Sequence, residues 1–165
     1  KENKHMNKIL QINVKPNVFN EHGLPKIPVD DVFVSNMGVS GDYNNYRTNK
    51  KDRNPDMAVL LYPDESIKEL NGENWPIKRG DIGENFTISG ILHSHFSPGQ
   101  QFQLGECILE ISFECDPCHN LAVLPYVGED KLNEFIKTLM HRRGWYAKVI
   151  KEGTVKTGDP IQQLK

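Results

Sequence analysis

The chain has 165 residues, a length that fits one domain and buries about two-thirds of its unfolded surface without help from disulfides. Twenty Lys and Arg stand against 22 Asp and Glu, for a net charge of -2, so there is no basic surplus to drive nucleic-acid binding. Apolar runs such as Ala58 to Leu61 are far too short to span a bilayer, and three cysteines are too few and odd in number for a disulfide framework; we expect a soluble protein of a reducing cytoplasm, with neither nucleic acid nor membrane as a partner.

The opening Lys1-Glu2-Asn3-Lys4-His5-Met6 reads as a disordered vector scar before a native Met6, and residues 7–165 as one domain. Asn7 to Val14 alternates polar and apolar residues and predicts a strand stopped by Pro16. Residues 16–56 lack periodicity and read as a long loop, with a short strand at Val32–Val34 and a basic, amide-rich stretch from Asn44 to Asn54. Met57 to Leu61 is apolar, and Pro63-Asp64-Glu65-Ser66 opens a short helix that Asn71-Gly72 ends. Strands follow around Phe86 to Ile91, Phe102 to Glu106 and Ile108 to Cys115.

Glu129 to Arg142 predicts the main helix. Leu132, Phe135, Ile136, Leu139 and Met140 share one face, Glu129 and Asp130 occupy the first turn, Arg142 and Arg143 the last, and Gly144 stands past the end. Tyr146 to Ile150 is a further strand, with short ones at Thr154-Val155 and Ile161. Many short strands with few helices predict a mainly β protein, a β-barrel or sandwich, with peripheral helices.

Three segments carry chemistry. Cys115-Asp116-Pro117-Cys118 admits a zinc site drawing on Cys107, His93, His95 or His119, a redox dithiol, a single thiolate offered to a soft metal, or two ordinary buried cysteines. Gly80-Asp81-Ile82-Gly83-Glu84-Asn85 is a turn whose glycines permit close backbone approach and whose N–H groups can cradle phosphate. Arg142, Arg143 and Lys148 are solvated charges or anion ligands. No Gly-x-Ser-x-Gly elbow or Ser/His/Asp order is present.

In order, Gly38-Val39-Ser40-Gly41-Asp42, Ala58-Val59 with Tyr62, Gly80 to Thr87, Phe102 through Leu104-Gly105-Glu106, Pro117-Cys118, and Arg143-Gly144-Trp145-Tyr146-Ala147-Lys148-Val149 with Gly153 and Gly158-Asp159 resemble the MOSC family. The resemblance covers roughly residues 7–162 and implies a barrel-like fold with a pocket for a pyranopterin molybdenum cofactor. It places the family's cysteine on Cys118, as a molybdenum ligand or persulfide carrier. Gly80, Asp81, Gly83, Glu84 and Asn85 would form the pocket wall, and Arg143 and Lys148 would meet the phosphate. It further implies reduction of N-hydroxylated small molecules with an electron donor, or sulfur handling with a sulfur donor. The alternatives are a non-catalytic cofactor or sulfur carrier and a small zinc-stabilised domain. Where relatives carry a His-Gly type turn after Gly41-Asp42, this sequence reads Asn44-Asn45-Tyr46-Arg47.

Overall fold

The computed structural model describes residues 7–19, 21, 23–43 and 54–164. The expected scar at residues 1–6 and the loop residues Asn44 to Arg53 lie outside that set. Eleven strands and two α-helices are present among the described residues. One sheet has eight strands: β1 (Lys8–Val14), β2 (Ile27–Val29), β5 (Val59–Pro63), β6 (Phe86–Ser89), β7 (Gln101–Leu104), β8 (Cys107–Glu114), β9 (Trp145–Lys151) and β11 (Ile161–Leu164). Its order is β11-β7-β8-β9-β5-β6-β1-β2. A second sheet joins β10 (Gly153–Lys156), β3 (Asp31–Ser35) and β4 (Gly38–Val39), in the order β10-β3-β4.

The fold is mainly β, but the expected barrel is not formed. β1 gives one edge to β6 and the other to β2, so β11 finds no continuous edge to close on. Contact there is limited to the start of β1, where Lys8 bridges Pro160 and the Ile9 N–H reaches the Asp159 carbonyl at 2.9 Å. All strand pairs are antiparallel except β5 with β6, which are parallel, with α1 (Asp64–Gly72) in the connection between them.

The long loop expected over residues 16–56 contains β3, around the short strand expected at Val32–Val34, and also β2 and β4. β2 includes Pro28, which suits a strand at the sheet margin, where a missing N–H is tolerated. The main helix, α2, runs Gly128–Leu139, ending three residues before the pattern suggested. His141 takes a left-handed φ of 61°, which breaks the periodicity and leaves Met140 45% exposed. Leu132, Phe135 and Leu139 are buried, each burial worth about 2 kcal/mol, and the Phe135 ring packs on Trp75 at 4.7 Å. Gly144 therefore does not cap this helix. A Cβ there would lie 2.9 Å from the Leu61 carbonyl oxygen, so Gly144 lets the chain entering β9 lie close against β5.

A strand core, including Ile9, Phe86, Leu109 and Ala147, lies within the sheets. A helix-side core gathers Tyr62, Leu70, Ile82, Leu121 and Phe135. Met57, Leu60, Cys115 and Tyr146 form a third, small cluster, and it borders a cavity. No described helix is long and apolar enough to cross a membrane.

Candidate functional site

The cavity holds about 320 Å3. Met57, Leu60 and Tyr146 make its apolar floor, and Ile82 and Gly83 form one side. Cys115, Asp116 and Cys118 form another, and Lys15, Lys26 and Arg143 bring positive charge.

The Gly80–Asn85 turn is assembled by its own side chains. Asp81 accepts the Lys78 N–H at 3.0 Å and the Tyr126 hydroxyl at 2.9 Å. The Gly80 carbonyl accepts the Lys26 N–H at 2.9 Å, an approach close enough that a Cβ on Gly80 would lie 2.5 Å from the Lys26 oxygen. Asn85 ties three segments together. Its Oδ1 accepts from Leu60 N–H at 3.0 Å, its carbonyl accepts from Asn13 N–H at 2.7 Å, and its Nδ2 donates to Asp42 at 2.9 Å. Of the predicted wall residues, Gly83 borders the cavity directly; Gly80, Asp81, Glu84 and Asn85 are buried or packed behind it.

Lys26 and Asp42 form a buried ion pair at 2.7 Å, with side chains only 5% and 7% exposed. Asp42 also accepts the Lys15 N–H at 2.9 Å, and Lys15 itself pairs with Glu21. These partners were missed as site residues from sequence. Lys26 sits among prolines in a stretch without periodicity, and the one available signal was Asp42, which closes the Gly38–Asp42 motif.

Arg143 is held differently. The Tyr62 hydroxyl donates to the Arg142 carbonyl at 2.7 Å, Cys115 N–H donates to the Gly144 carbonyl at 2.8 Å, and Gly144 N–H donates to His93 Nε2 at 3.0 Å. These bonds fix the backbone on both sides of Arg143, a residue only 5% exposed. Its Nε and Nη1 are buried without a hydrogen-bond partner among the described residues. Burial opposes the charge, but the Cys115, Tyr146 and Cys118 side chains around it hold its pKa above the ordinary arginine value. A buried, unpaired guanidinium is costly, which makes it a strong site for an anion.

Cys118 is half-buried at the cavity wall. Its carbonyl accepts the Leu121 N–H at 3.2 Å, at the head of a short 3-10 turn over His119–Val123. Cys115 is buried, its thiol pKa pushed up by burial, and its Sγ donates to Tyr146 Oη at 3.3 Å. Residues 115–118 contain no turn, and Cys118 is extended, with φ -138° and ψ 173°. No group of three or more His, Cys, Asp or Glu able to hold a metal exists among the described residues, so the alternative of a zinc site finds no ligand set there. Cys107 is buried and its thiol is pushed up to about 12 by that burial. His93 has its pKa lowered by burial, in keeping with its role as acceptor for Gly144 N–H.

Lys148 does not join this site. It stands two residues past Tyr146 on β9, beyond the cavity, with its ammonium 3.1 Å from Glu110 of β8. Arg142 also turns away, to Glu69 at 3.1 Å and Glu73 at 2.5 Å.

Comparison with known proteins agrees with this architecture. YflK of Bacillus subtilis (strain 168) is 30% identical over 113 residues, covering 67% of this chain and 49% of YflK. YiiM of Escherichia coli (strain K12) is 26% identical over 147 residues, covering 84% of this chain and 62% of YiiM. The chain thus spans about half to three-fifths of the length of these curated relatives. Among solved structures, YiiM from Geobacillus stearothermophilus superposes with a TM-score of 0.73 at 24% identity, over 96% of this chain and 75% of that one. YuaD from Bacillus subtilis gives a TM-score of 0.77 at 18% identity, over 96% and 95%. At these identities the structures speak to the fold. The model of the MOSC domain matches residues 47–162, the greater part of the sequence, and the chain belongs to the MOSC domain family.

Proposed function

We propose that the cavity binds a molybdenum cofactor, with the Cys118 thiolate as metal ligand and Arg143 holding an anionic part of the same group. The observation that carries this reading is Arg143: a buried guanidinium with two unpartnered nitrogens, lining the same cavity as a half-buried thiol. This donor set fits such a group. Molybdenum in a dithiolene is soft and accepts thiolate, and a phosphate accepts the guanidinium fork. When bound, the cofactor supplies two-electron redox chemistry at its metal.

The chain's own residues bind and orient. Arg143 fixes the anion because its backbone is anchored on both sides. Met57, Leu60 and Tyr146 keep the floor apolar, which strengthens every charge interaction above it. Lys26 is already matched by Asp42, so it shapes the wall while Arg143 is left to take the ligand. The reaction we favour is reduction of an N-hydroxylated small molecule with an external electron donor, with sulfur carried on Cys118 as the related possibility. A second reading is a carrier that binds the group without turnover.

Elemental analysis of protein from a host that makes the cofactor tests the main reading. We expect about one molybdenum per chain, lost in Cys118→Ala and reduced in Arg143→Met. Zinc, or molybdenum that survives Cys118→Ala in full, sinks it. Stoichiometric molybdenum without reduction of N-hydroxylated substrates in the presence of a reductant selects the carrier.

A further inference from the structure

Behind the cavity wall lies a second group with an unfilled bonding position. Glu84 has no solvent exposure. Its Oε2 accepts from Gly80 N–H at 3.0 Å and from Thr87 Oγ1 at 2.9 Å. Its Oε1 is buried with no partner among the described residues. The Thr87 oxygen in turn accepts Asn13 Nδ2 at 3.1 Å, which commits the hydroxyl proton to Glu84. Both donors converge on Oε2, so Oε1 is the oxygen open to a proton.

Glu84 feels the Arg143 charge, yet no ion pair joins the two among the described residues. A buried cation and a buried acid thus lie near one another, each with an unmet hydrogen bond. The other charged or titratable groups near Glu84 are already committed. Arg79 is held by Asp64 at 2.8 and 3.2 Å, and Asp81 accepts from Tyr126. The Tyr62 and Tyr126 phenols are kept protonated, chiefly by burial. Arg143 is the neighbour whose electrostatic state changes when the cavity fills.

We infer that an anion seated on Arg143 is taken up together with a proton, and that Glu84 Oε1 holds that proton. The inference rests on the anion-binding reading of Arg143 given above. An anion adds negative charge next to a carboxylate in a poorly screened interior and offsets the guanidinium that favours its ionised form. Burial raises the Glu84 pKa to about 7, against the bonds from Gly80 and Thr87 and the Arg143 charge, all of which lower it. Losing the last of these extends the neutral acid to higher pH. The bond formed is O–H on Glu84, the proton comes from solvent, and no electron moves. Proton and anion then favour each other's binding by the same factor.

Titration calorimetry of the intact protein with sulfate tests this, since sulfate stays a dianion from about pH 6 to about pH 9. Runs in two buffers of different ionisation heat give the proton count. We expect about one proton taken up per sulfate at about pH 8, with affinity flat below about pH 7 and falling about tenfold per pH unit above it. Glu84→Gln should bind sulfate without proton uptake and without that slope. Sulfate binding to the unaltered protein with no proton exchange overturns the coupling and leaves the anion site standing. Uptake that persists in Glu84→Gln but disappears in Cys118→Ser assigns the proton to the thiol and also overturns it. Absence of any sulfate binding that depends on Arg143 removes both the coupling and the anion site.

Discussion

Lys26 and Arg143 are the two deeply buried cations among the described residues, and they border the same cavity. Lys26 is matched by Asp42 at 2.7 Å, and Asp42 is itself held by Asn85 and the Lys15 N–H. Arg143 has equal burial but leaves two nitrogens without partners. Burial alone therefore does not mark a functional charge. A cation enclosed with its counter-ion belongs to the scaffold, while one enclosed without it stores an unmet interaction that a ligand can meet.

The sharpest way to break this contrast is to strip Lys26 of its partner. Asp42→Ala should lower stability by about 3–5 kcal/mol in urea denaturation, because it leaves a buried ammonium uncompensated. Little or no loss would mean that the pair is not scaffold. Next comes Glu84, whose pKa burial raises from the ordinary carboxylate value of 4.5 to about 7 in the fold. Between those values the folded state holds the proton that the unfolded state releases. Stability should therefore fall by about 3 kcal/mol as pH rises through that window and level off above it. The difference in unfolding free energy between wild type and Glu84→Gln, followed against pH, should trace that fall; a flat difference would show that Glu84 titrates normally. Arg143→Met should weaken sulfate binding by at least about tenfold, the worth of one charge-assisted bond, while stability stays level or rises. A marked loss of stability would place Arg143 with Lys26 as scaffold. Lys148→Ala should have the smallest effect, changing neither melting temperature nor sulfate affinity, because its contact with Glu110 is a solvated surface pair.

Sequence was informative where burial imposes a period. α2 follows from the spacing of Leu132, Phe135 and Leu139, and β1 from the apolar residues between Ile9 and Val14, although a bulge between Ile9 and Gln11 interrupts its alternation. Of the strands within residues 16–56 it marked β3, through Val32–Val34, and missed β2 and β4, which are three and two residues long, hold a proline or a glycine and lie in a stretch rich in both. At the C-terminal end of α2 the pattern ran through Met140, and nothing in the residue types foretold that His141 would turn left-handed. Barrel closure could not be read because it depends on which edge of β1 is already used. At the site, Cys118 and Arg143 were found through the family resemblance. In Arg142-Arg143 the two side chains are chemically identical, and only the backbone entering β9 sends one to Glu69 and Glu73 and the other inward. Lys148 belongs to the same motif, but its place along β9 carries it past the cavity.

The strand order also has a kinetic consequence. The cavity draws on Lys26, Leu60, Gly83, Cys118 and Arg143, which meet only after β5 has inserted between β6 and β9. Those pairings close long stretches of chain, the slow step for sheet proteins of this kind. A ligand that needs all of these walls gains its binding energy after the folding barrier has been crossed. It should therefore leave the refolding rate unchanged and act on the reverse process, so that saturating anion lengthens the lifetime of the native state.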